Sequence, residues 1–180
     1  MNIILIGYMG SGKSSVGRRL AQQLGWEFVD TDQMVEDAES LSIAEIFSIA
    51  GERAFRDCEE QALASLEGRR HLVVATGGGI IIRPGNRALL ARLGKVVWLD
   101  GDPDILFERA VRSGKRPLLK GEDPRTKFDE MLALRRPAYE SVFDLRMDVT
   151  QHTQQQIAKH IIKGLGLEDS APRTFGTRED

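Results

Sequence analysis

Ile3-Ile4-Leu5-Ile6-Gly7-Tyr8-Met9-Gly10-Ser11-Gly12-Lys13-Ser14 fits the phosphate-binding pattern G-x-x-x-x-G-K-[ST]. The apolar run ahead of it is too short for anything but a strand. Behind it Val16, Leu20, Ala21 and Leu24 keep helical spacing until Gly25, a residue type that stops helices. A glycine-rich turn between strand and helix is the context the motif needs. Its glycines permit backbone shapes that a side chain forbids, so successive N–H groups converge on an anion, and the helix adds the positive end of its dipole. Lys13 contributes a point charge, and Ser14 a hydroxyl for a magnesium ion. The loop specifies a triphosphate and its metal but leaves the acceptor of the phosphate open.

Outward from the loop, strand and helix signals alternate. Residues 26–30 read as a short strand ending in Asp30-Thr31-Asp32, whose two carboxylates share a face if the period of two continues. Ser42-Ile43-Ala44-Glu45 is a capping box for a helix that pauses at Gly51 and resumes from Glu52 to Leu66. On its second part Arg56 and Glu59 are neighbours away from the apolar stripe, and the plainest reading is an exposed ion pair. Residues 71–76 form a buried-strand run that leads into Gly77-Gly78-Gly79, where backbone can pass close to a ligand. A helix over 84–93, a strand over 96–99 and a helix opened by Asp102-Pro103 follow. Residues 113–125, with prolines, glycines and four basic residues, read as a surface loop. A helix over 126–143, a strand over 145–149 and a helix over 154–165 end the pattern, and residues 168–180 form a polar tail expected to be disordered.

Five strands alternating with helices predict a three-layer α/β/α architecture with a five-stranded parallel sheet, in one domain over residues 1–167. Ligands in such sheets bind beyond the carboxyl ends of the strands. The loop, Asp30, Asp32 and the three glycines should therefore converge on one cleft. A net charge of -2 over 180 residues argues against nucleic acid or an anionic membrane as partner. Cys58 is the only cysteine, which excludes an intrachain disulfide. With no apolar run of spanning length and no room for a leader before the first strand, a cytoplasmic protein is expected.

Several motifs in this order resemble the shikimate kinase family: Gly-Tyr-Met-Gly-Ser-Gly-Lys-Ser, Phe-Val-Asp-Thr-Asp, Gly-Glu-Arg-Ala-Phe-Arg, Thr-Gly-Gly-Gly, Arg-Pro-Leu-Leu and Arg-Arg-Pro-Ala-Tyr. The resemblance covers residues 3 to about 162. It implies a P-loop fold like that of the nucleoside monophosphate kinases, with a substrate-binding region near residues 31–62 and a lid near 112–123. It also implies transfer of the γ-phosphoryl group of ATP to the 3-hydroxyl of shikimate, a step toward chorismate and the aromatic amino acids. The expected partners are these small molecules alone, acting on a monomer.

Residue by residue, the resemblance assigns ATP to Gly10, Ser11, Gly12, Lys13, Ser14 and Ser15, with Arg109 stacking on adenine and Arg116 reaching the phosphates from the lid. Ser14 and Asp30 are implied to hold Mg2+. Asp32 is carried over as the acid that binds a shikimate hydroxyl and accepts its proton, so Lys13, Asp32 and Arg116 form the catalytic set. Arg56 and Arg135 would hold the shikimate carboxylate, with Arg136 the neighbouring alternative. Gly77, Gly78 and Gly79 would offer backbone donors, and Glu59 would orient Arg56. Two departures stand out. Ser15 replaces the usual threonine, and residues 150–153 lack the proline that many members place near adenine, so His152 is expected to be exposed. Other readings are a small-metabolite kinase such as a gluconate kinase, or an inactive nucleotide-binding relative.

Overall fold

Ile3–Ile6 has no solvent exposure at any position because it is the middle strand of the sheet. The structure, a computed structural model, describes residues 1–112 and 123–168. In chain order it contains β1 (Ile3–Ile6), α1 (Lys13–Leu24), β2 (Glu27–Asp30), α2 (Thr31–Glu39), α3 (Ile43–Ala64), β3 (Leu72–Ala75) and a 3-10 turn (Ile80–Ile82). It continues with α4 (Pro84–Leu93), β4 (Lys95–Asp100), α5 (Pro103–Arg112), α6 (Pro124–Glu140), β5 (Leu145–Asp148) and α7 (Gln154–Gly164). The sheet order is β2-β3-β1-β4-β5, and every pairing is parallel. β1 and β3 are buried on both faces and so is nearly all of β4, which requires helices above and below. The edge strand β5 alternates half-buried Leu145 and Met147 with exposed Arg146 and Asp148.

Most buried side chains form one core around Ile4, Leu20, Val74, Trp98, Tyr139 and Ile161. A second, smaller cluster of Val35, Ile46 and Phe55 lies between α2 and α3. The α2–α3 region thus has packing of its own. Among the described residues no helix is long and apolar enough to cross a membrane.

The capping box at Ser42 and Glu45 is formed, and the pause at Gly51 is a break in α3 with φ 82° and ψ 176°. The main correction falls on Asp30 and Asp32. The chain does not continue as a strand through them. Asp30 caps α2, its Oδ1 accepting from the Asp32 N–H at 3.1 Å, and Asp32 lies in the first helical turn. The period-two argument thus fails, although both carboxylates stay near the sheet's carboxyl end. A second correction concerns Arg56 and Glu59, which are 8% and 1% exposed rather than a surface pair. The helix expected over 126–143 begins earlier, because Asp123 caps it by accepting from the Thr126 N–H at 3.1 Å, and it ends sooner, at Glu140. Arg116 and most of the expected lid lie outside the described residues, as do residues 169–180 of the tail.

Candidate active site

The phosphate loop leaves β1 and enters α1 through two left-handed glycines, Gly10 at φ 82° and Gly12 at φ 80°. At Gly10 a methyl group would also strike the Leu106 carbonyl, whereas Gly12 has open space and is required by conformation alone. The Lys13 Nζ donates to Gly7 O at 2.7 Å, Tyr8 O at 3.1 Å and Ser11 Oγ at 3.4 Å. Ser14 Oγ donates to Asp30 Oδ2 at 2.7 Å. That pair joins the first turn of α1 to the end of β2 and offers only oxygen donors. Among the described residues no cluster of three or more His, Cys, Asp or Glu could hold a metal. An ion here would lean on phosphates and water, as magnesium does in nucleotide sites. Ser15 is exposed at the start of α1.

Across the cleft the three glycines follow β3. Gly77 donates to Thr31 Oγ1 at 3.2 Å. A methyl group on it would come within 2.5 Å of Asp32 Oδ1 and 2.6 Å of Glu59 Oε1, so both carboxylates face this point. Arg56 Nη1 donates to Glu59 Oε2 at 2.5 Å and Nη2 to Glu52 Oε1 at 3.2 Å, and the guanidinium lies against Gly79. Burial pushes the Glu59 carboxyl above its ordinary range, an effect that Arg56 opposes and Asp32 reinforces. The backbone N–H groups of Gly78 and Gly79 have no acceptor among the described residues.

α6 supplies the third wall. Its buried stripe is Phe128, Leu132, Arg135 and Tyr139, at helical spacing. Arg135 Nη1 donates to Gly78 O at 3.4 Å, and its guanidinium lies 5.6 Å from the centre of the Tyr8 ring. Arg136 is turned elsewhere, to Asp100 at 3.3 Å, where Arg146 also donates at 2.6 Å. The adjacent arginines therefore separate: Arg135 faces the glycines, and Arg136 ties α6 to β4.

A cavity of about 550 Å³ continues from Gly10 and Gly12 between Arg19, Arg109, His152 and Gln155. Arg109 is held by two backbone acceptors, its Nη1 donating to Val149 O at 2.9 Å and its Nη2 to Thr150 O at 3.3 Å. His152 is half-buried, edge-on to His160 with ring centres 5.1 Å apart, which corrects the expectation of an exposed side chain. Arg19 was not singled out from the sequence, although its place one helical turn beyond Ser15 was the signal that could have found it. Tyr139 was visible only as part of a motif. A second hollow, of about 610 Å³, lies by Met1, Lys95 and Asp144 at the amino ends of the strands, away from all these groups.

A family model described as shikimate kinase matches residues 9–166. A shikimate kinase of Symbiobacterium thermophilum is 42% identical over 167 residues, covering 92% of this chain and 96% of its own length. The structure of an Acinetobacter baumannii shikimate kinase in complex with shikimate superposes with a TM-score of 0.87 at 38% identity, covering 91% of this chain and 92% of that one. A gluconokinase of Sinorhizobium meliloti shares 22% identity at a TM-score of 0.60, with 92% and 91% coverage, a likeness that shows the fold alone. Motif order, sheet topology and identity over nine-tenths of the chain agree, and the chain belongs to the shikimate kinase family.

Proposed function

We propose that the chain transfers the γ-phosphoryl group of ATP to the 3-hydroxyl of shikimate, with the acceptor held between Asp32, Arg56, Arg135 and the three glycines. One observation carries this reading. Two arginines, Arg56 at 8% and Arg135 at 9% exposure, converge on glycines whose Gly78 and Gly79 N–H groups have no acceptor among the described residues. Planar guanidinium forks suit a carboxylate, and a hydroxylated ring can then present its hydroxyl to Asp32. The A. baumannii relative solved with shikimate supports the same acceptor.

Phosphoryl transfer asks the protein for alignment and charge neutralisation. The loop N–H groups and Lys13 hold the triphosphate. Asp32 accepts the proton of the attacking hydroxyl. Glu59 keeps Arg56 extended toward the acceptor. Ser14 and Asp30 fit Mg2+, being oxygen donors on the phosphate side of the cleft, and a bound ion would offset phosphate charge. Arg109 offers a flat guanidinium to the adenine, and Arg116, outside the described residues, is proposed to meet the phosphates from a lid over residues 112–123. The reading takes the chain as a monomeric cytoplasmic enzyme of one domain.

A coupled ADP-release assay with shikimate, quinate and gluconate tests the acceptor. Turnover with shikimate far above the other two is expected. Turnover with gluconate instead would favour the metabolite kinase that shares the fold, and no acceptor-dependent turnover would favour an inactive nucleotide-binding relative.

A further inference from the structure

The Gly78 carbonyl receives two unequal donors from α6. Tyr139 Oη lies at 2.6 Å, and Arg135 Nη1 at 3.4 Å is near the limit of a hydrogen bond. The two residues are four apart and share a helix face. Tyr139 has no solvent exposure and stacks on Trp98, with ring centres 5.9 Å apart and planes 10° from parallel. Burial pushes its hydroxyl far above the ordinary phenol range, so it stays a donor at working pH.

In a trans peptide the carbonyl and the following N–H point in opposite directions. Whatever fixes Gly78 O therefore fixes where the Gly79 N–H points. The glycine at 78 brings no side chain to resist rotation of that peptide: a methyl there would find its nearest neighbours at 3.6 Å or more. Arg135 cannot serve as the anchor if it must turn to an incoming carboxylate.

We infer that Tyr139 is a positioning residue: its hydroxyl holds the Gly78–Gly79 peptide so that the Gly79 N–H stays presented to the acceptor while Arg135 exchanges the Gly78 carbonyl for the acceptor's carboxylate. The inference rests on the proposed function, which gives Arg135 that task. The hydrogen bond is made before the acceptor arrives and persists through turnover.

Tyr139→Phe removes one oxygen and keeps the ring stack. The KM for shikimate should rise about three- to tenfold, the worth of one positioned hydrogen bond. The KM for ATP and kcat at saturating shikimate should stay within about twofold. An unchanged shikimate KM overturns the inference, and so does an equal rise in both KM values, which would mean general loosening. A measurement on the wild type stands if the variant fails to fold: the buried hydroxyl proton of Tyr139, followed by NMR, should persist when shikimate saturates the protein. Its loss on saturation overturns the inference. Absence of shikimate-dependent turnover in the wild type overturns the proposed function itself, and this inference with it.

Discussion

Replacing Gly79 by alanine displaces the Arg56 guanidinium without removing it, and so tests what its position contributes. Gly79 sits at φ -100° and ψ -2°, a conformation alanine adopts freely, so the backbone itself does not object. The obstacle is Arg56. The new methyl would overlap Nη1 and lie 2.6 Å from Nη2 and 2.7 Å from Cζ. The guanidinium is the free end of a long side chain and retreats, but retreat breaks its 2.5 Å bond to Glu59 and carries its charge away from the glycines. A charge-assisted hydrogen bond to the acceptor is worth about 1.5–3 kcal/mol, so the shikimate KM should rise roughly 10- to 150-fold. Gly85→Ala is the matched control. Gly85 is exposed in the first turn of α4, its methyl would meet Glu60 Oε1 at 3.9 Å, an ordinary contact, and the variant should match the wild type in melting temperature with a shikimate KM changed less than about twofold. Initial rates with varied shikimate at saturating ATP, alongside thermal melts, read both. A Gly79→Ala enzyme with a shikimate KM within about twofold of wild type would refute the placement of Arg56 at the acceptor.

Arg56→Met leaves Glu59 buried without its partner and should cost about 3–5 kcal/mol in denaturant unfolding at neutral pH. Without Arg56 the Glu59 pKa rises further above its unfolded value. The native state then holds the proton longer, and stability falls as pH climbs from the ordinary carboxylate range through the folded pKa. The deficit should shrink in acid, and a deficit independent of pH would count against this account. Asp32→Asn keeps the shape of the first turn of α2 and should abolish turnover while ADP binding by calorimetry stays near normal; a rate close to wild type would remove Asp32 from proton transfer. Ser14→Ala removes the hydroxyl bonded to Asp30 and should raise the Mg2+ concentration needed for half-maximal rate, with a shikimate KM little changed.

The donor half of the site was legible because its signal is local. Glycines, lysine and serine at fixed spacing dictate one loop between one strand and one helix. The proposed acceptor half draws on the end of β3, on α2, on α3 and on α6, and there sequence pattern misled in instructive ways. α2 was missed because Met34, Val35 and Ala38 make too thin an apolar stripe to announce a helix, so Asp32 was placed on a strand. Arg56 and Glu59 looked exposed because periodicity marks what is apolar, not what is buried. A polar pocket wall and a solvent face read alike. Arg135 and Arg136 could be told apart only by the azimuth of α6, which the stripe of Phe128, Leu132 and Tyr139 sets.

The Lys13 ammonium reaches back from α1 to Gly7 O, Tyr8 O and Ser11 Oγ of its own loop. A glycine-rich turn has few side chains with which to brace itself, and here the brace is the lysine, a strut running from the helix to the chain that leaves β1. One side chain therefore does two jobs, lending charge and holding the turn in shape. A variant that loses Lys13 loses both, so its deficit would overstate the worth of the charge alone.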